Sequence, residues 1–100
     1  MMKKVFDIWL KTNQSIFSVN QIVIDEIKSV EGTLNPSSTV YHSSISCLGQ
    51  ISVWDDGQMY VEIVEIESGK SIYREHFKIN ENTDFKKLLG DYIQKMGTKP

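Results

Sequence analysis

The chain carries one cysteine, two prolines and two histidines in 100 residues, no long apolar run and no excess of basic charge. Each scarcity excludes something. The lone thiol of Cys47 cannot form a disulfide within the chain, and an unpaired cysteine is at home in a reducing compartment. No stretch approaches the roughly 20 apolar residues that span a bilayer. Near the start, Asp7, Lys11 and Asn13 interrupt the apolar residues before they reach the length of a signal-peptide core. The expectation is a cytoplasmic protein with no membrane partner. The formal charge is −2, from 11 basic and 13 acidic side chains, and the pI is about 5.6. Without a basic stripe to neutralise phosphates, no nucleic-acid partner is expected. Mild acidity suits a basic protein partner.

Catalytic equipment is scarce too. His42, Cys47 and His76 are the only good nitrogen or sulfur ligands for a metal, and no two stand at zinc-motif spacing. If residues 39–47 form one strand, alternation puts His42 and Cys47 on opposite faces, which denies Cys47 an activating base there. Glu75 and His76, adjacent in a strand, also point apart and make no acid/base pair. The glycines stand singly and build no phosphate-cradling loop. No metal, no cofactor and no enzymatic activity are expected.

What is present is periodicity. Met2, Val5, Phe6, Trp9 and Leu10 recur at helical intervals with Lys3, Lys4, Asp7 and Lys11 between them, so an amphipathic helix opens the chain, and Ile16 and Phe17 extend the same face one or two turns on. Residues 21–30 read as a first strand through Ile22, Val23 and Ile24. Residues 31–38, with Gly32, Asn35 and Pro36, read as a loop. A second strand is expected over residues 39–47, with Tyr41, Ile45 and Cys47 on its apolar face and His42, Ser44 and Ser46 on its polar one.

Residues 49–79 then read as a three-stranded antiparallel meander, turned at Asp55-Asp56-Gly57 and at Glu67-Ser68-Gly69-Lys70. In its middle strand, over residues 59–66, Met59, Val61 and Ile63 alternate with Tyr60, Val64 and Ile66, so it is expected to be the central, most buried one. The last strand sets Tyr73, Phe77 and Ile79 against a wet face of Arg74, His76 and Lys78. A closing helix follows, carrying Phe85, Leu88, Leu89, Tyr92, Ile93 and Met96, capped by Asn82 or Thr83 and ended by Gly97 and Pro100. Gly90 in its interior costs about 1 kcal/mol relative to alanine, which close packing on the sheet would explain. The expected architecture is a single α+β domain over residues 1–100. It comprises an antiparallel meander of about five strands flanked by an N-terminal and a C-terminal helix, in the order α-β-β-β-β-β-α.

Acidic residues gather on the meander at Asp55, Asp56, Glu62, Glu65 and Glu67. Glu62 interrupts an apolar strand, and a buried carboxylate is costly unless paired. It therefore either pairs with a base such as Arg74 or marks where the sheet opens to solvent. Trp54, at a strand end, is either packing or a contact residue of the kind enriched in binding hot spots.

The segments Gly49-Gln50-Ile51-Ser52-Val53-Trp54-Asp55-Asp56-Gly57 and Val61-Glu62-Ile63-Val64-Glu65-Ile66-Glu67-Ser68-Gly69 resemble the TriTu family of bacterial immunity proteins. The resemblance continues through Tyr73-Arg74-Glu75-His76 and the closing helix, takes in Trp9-Leu10, and covers about two thirds of the chain. It is weakest over residues 13–38, where partner specificity would vary. It implies a member of a polymorphic toxin system that binds and neutralises a cognate protein toxin by occlusion, without catalysis. The residues expected to make that contact are Trp54, Asp55, Asp56, Tyr60 and Glu62. The alternative from another class is a homodimeric structural or regulatory module that pairs the sheet through an exposed edge or face.

Overall fold

In the computed structural model, which describes residues 1–97, helix α1 spans Met2–Thr12 because Met2, Phe6 and Leu10 fall on one stripe and are buried together. Asn13 breaks the helix, its backbone leaving helical geometry while its side-chain Nδ2 donates to the Trp9 carbonyl at 2.9 Å. A short helix α2, Gln14–Ser18, then delivers Phe17 to the same core. Thus Ile16 and Phe17 share the core side of α1, one element later than a continuous helix would place them.

Five strands follow: β1 Val23–Val30, β2 Ser37–Ser43, β3 Cys47–Trp54, β4 Gln58–Glu65 and β5 Ser71–Lys78. They form one antiparallel sheet in sequence order, so the meander extends upstream of Gly49 to take in all five. The expected α+β order is observed. Gly57, at φ +96°, makes the β3–β4 turn in the left-handed region that glycine enters without steric cost. After β5, helix α3 spans Phe85–Leu88 and helix α4 Gly90–Gly97.

The strand expected over residues 39–47 is in fact two elements. The chain reverses at residues 44–46, where the Ser44 amide donates to the Cys47 carbonyl at 2.9 Å, and Cys47 opens β3. This inverts the expected faces: Val40 and His42 point into the core, and Tyr41 points out. His42 and Cys47 therefore lie on the same face, in neighbouring strands. The inward turn of a histidine is tolerated because Phe17 stacks on its ring at 4.6 Å and Tyr92 hydrogen-bonds its Nδ1 at 2.8 Å.

Strand β3, not β4, is the middle strand of five, since residues 23–43 add two strands on its far side. In β4, Met59, Val61 and Ile63 are fully buried, while Ile66 lies past the strand end, 51% exposed. The closing helix is likewise two pieces, interrupted at Leu89. Its cap is Asp84, whose Oδ1 accepts from the Lys87 amide at 3.2 Å; Thr83 instead closes the preceding turn by accepting from the Asn80 amide. Pro100, expected to end this helix with Gly97, lies outside the described residues.

Gly90 is exposed and faces open space, so sheet packing does not account for it. The glycine that packs closely is Gly49, where a Cβ would overlap the Tyr92 hydroxyl and the Met96 sulfur. Gly49 pairs across the strands with His42. The missing side chain thus clears the path by which Tyr92 reaches the histidine. All the helices lie on this one face, where Phe6, Trp9, Phe17 and Phe85 join in edge and stacked contacts around the buried strand residues.

Candidate functional site

Alternation sends every second strand residue to the face that no helix covers. The pairing register aligns these residues in rows across the sheet. One row runs Lys28, Thr39, Ser52, Tyr60, His76, and the next runs Glu26, Tyr41, Gln50, Glu62, Arg74. Their side chains bond to one another: Thr39 Oγ1 and Ser52 Oγ lie 2.8 Å apart, and the Tyr60 hydroxyl donates to Glu62 Oε1 at 3.0 Å. The Tyr60 and His76 rings meet at 5.0 Å. Burial and the Glu62 carboxylate together raise the Tyr60 pKa. A third row runs Val23, Ser43, Leu48, Val64, Ser71, with Leu48 beside Val64 at its middle and Val23 at one end. Leu48 is 50% exposed and Val23 57%.

Glu62 answers both alternatives posed for it. It lies on the open face, and its Oε2 stands 4.0 Å from Arg74 Nε directly across the strands. Trp54 ends β3 half-buried on the same face, opposite Ser37. The structure therefore brings Trp54, Tyr60 and Glu62 onto one surface.

Asp55 and Asp56 sit in the turn at its end, and their polar groups are engaged. The Lys3 amide donates to Asp55 Oδ1 at 3.1 Å, so this carboxylate satisfies the first turn of α1, for which Met1 supplies no side-chain cap. The Asp56 carboxylate accepts from the amide and the side chain of Gln58, at 3.1 and 2.8 Å, which hold its pKa below the ordinary range. Tyr41, Gln50, Leu48, Val64 and Arg74 complete the surface. The signal for them was the polar–apolar alternation of β3, Gln50 and Ser52 between Ile51 and Val53.

On the covered face, His42 is 1% exposed and its Nε2 has no hydrogen-bond partner. Desolvation pushes its pKa down to about 4, against a smaller upward pull from Asp25. A neutral, enclosed imidazole bonded to a tyrosine is a packing element. Among the described residues, no group of three His, Cys, Asp or Glu side chains is arranged to hold a metal ion. No described helix is long and apolar enough to cross a membrane.

Three clefts open at the rim of the helical layer. One, of about 300 Å³, separates α1 from β1 between Ile8 and Ile27; another, of about 380 Å³, lies beside α2 near Gln21; the third, of about 320 Å³, lies by Lys3, Glu31 and Asp55. None of these three is lined by a histidine or by Cys47.

The family model described as Immunity protein TriTu matches residues 4–95, so the chain belongs to this family of immunity proteins. The match runs through residues 13–38 as well. No curated protein matches the chain.

Proposed function

We propose that this member of the immunity-protein family binds a cognate bacterial toxin through the open face of its sheet and blocks the toxin by occlusion, with no turnover of its own. Family membership supplies the class of partner. The observation that carries the surface is the helix-free face itself, which presents Tyr60, Glu62 and Trp54 together with the apolar pair Leu48 and Val64. Aromatic and aliphatic side chains ringed by hydrogen-bonding groups are the composition from which protein interfaces draw most of their energy. In this reading the protein acts in the cytoplasm of the producing cell.

Tyr60, Glu62 and Trp54 are the central contacts and Asp56 belongs to the rim. Asp55 contributes chiefly by holding the start of α1 against the turn. The experiment is co-expression with the toxin encoded by the neighbouring reading frame. Protection of the cells and co-purification of the pair are expected, and the absence of both overturns the function. On the purified pair, a Tyr60→Ala/Glu62→Lys variant is expected to weaken binding by tenfold or more. Unchanged affinity in a folded variant rejects this face as the site.

A further inference from the structure

The two edges of the sheet are unlike. Strand β5 borders solvent with Arg74, Glu75, His76 and Lys78 and exposes one large aliphatic side chain, Ile72, whereas β1 carries comparable charge at Asp25, Glu26 and Lys28 and exposes three. Strand β1 pairs only with β2, and Val23, Ile27 and Val30 along it are each about half exposed. Helix α1 packs over β2 and β3 and stops short of β1, leaving the cleft of about 300 Å³ in which Ile8, 57% exposed, faces Ile27, 52% exposed. An unpaired strand beside an unfilled apolar cleft fits another strand, with an apolar residue on the helix side.

The sequence of β1 specifies which strand. Ile27 is flanked by Glu26 and Lys28, whose partners Tyr41 and Thr39 place both charges on the open face, while Ile27 pairs with Val40 on the helix side. We infer that a second copy of this chain docks here, the two β1 strands pairing antiparallel about a two-fold axis at Ile27. In that register Glu26 stands opposite Lys28 of the other copy, and Lys28 opposite its Glu26. One face thus gains two complementary charge pairs, and the other gains an Ile27–Ile27 contact that joins the two Ile8-walled clefts into one apolar seam. An axis one residue either way sets Glu26 against Glu26 or Lys28 against Lys28, so the charges select the register. Self-complementarity of this kind is what a two-fold interface requires.

The bulge at Asp25, where β1 loses register with β2, interrupts the regular ladder before Ile24. The dimer therefore rests on the few residues around Ile27 and dissociates on dilution. This association is independent of toxin binding: it uses the sheet edge and leaves Trp54, Tyr60 and Glu62 uncovered.

Sedimentation velocity over a concentration series tests it. The wild-type mass is expected to rise from 11.5 kDa towards twice that value. Glu26→Lys and Lys28→Glu should each weaken the dimer by about fivefold or more, and the double swap E26K/K28E should restore it to near wild type. Ile27→Lys, which puts two like charges on the axis, should leave only monomer. Circular dichroism checks that each variant is folded. A wild-type chain that stays monomeric throughout overturns the dimer, even if its edge accepts a strand from another protein. Failure of the double swap to rescue, or a dimer that survives Ile27→Lys, overturns this interface.

Discussion

The same five strands build two faces that answer to different physics. On the covered face Val40, Ile51, Val53, Met59, Val61 and Ile63 are fully enclosed, and even the one imidazole there is stripped of water. On the open face Thr39 and Gln50 bond to the hydroxyl of Ser52, Tyr60 bonds to Glu62 and Glu62 pairs with Arg74, all but Ser52 staying in reach of solvent. The first face stores the stability of the fold, and the second can change without unfolding it. In the proposed reading, such a separation lets the contact surface vary while the core is kept.

The sharpest way to break the contrast is to truncate the covered face. Ile51, central in the middle strand and fully buried, should cost about 2–5 kcal/mol when replaced by alanine, read from urea denaturation. Acid is the next test. The folded pKa of His42, about 4, lies below the ordinary value of 6.5, so between these limits the unfolded chain binds a proton that the folded chain refuses. This contribution to stability is intact above pH 6.5 and is lost as the pH falls towards 4, on the order of 2–3 kcal/mol being gone by pH 4.5. Denaturation curves at pH 7.5 and 4.5, with the His42 ring followed by NMR, would expose a histidine that titrates normally. The smallest effect belongs to the open face: Glu62→Gln removes an ion pair whose arginine is mostly exposed, and should shift stability by less than about 1 kcal/mol in the same urea assay.

Several errors of sequence reading share one cause. Residues 39–47 alternate as a single strand would, and nothing local distinguishes the reversal at Ser44–Ser46 from two more strand residues. Only pairing with a neighbour decides it. In the sequence His42 reads as polar and therefore as outward, because neither the ring of Phe17 nor the hydroxyl of Tyr92, 50 residues away, is visible from its own strand. Gly90 stands out in the sequence by its place in a helical pattern, whereas the close approach is at Gly49, set by a helix docking from the far end of the chain. For the candidate surface, alternation around Tyr60 and Glu62 was readable, and so was the choice of Arg74 as partner to Glu62. The engagement of Asp55 by α1 was not, since it joins residues 52 positions apart.

By itself, the sequence determined the element order, the two Gly-bearing turns of the meander, the amphipathic first helix and the family resemblance. Each depends on periodicity or on residues close along the chain, where backbone sterics and side-chain spacing act directly. Only the tertiary structure decided which strand is central, which way His42 faces, which glycine is crowded and which edge and face remain uncovered. Those are outcomes of how distant segments fill shared space, and a chain read one residue after another carries no record of that space.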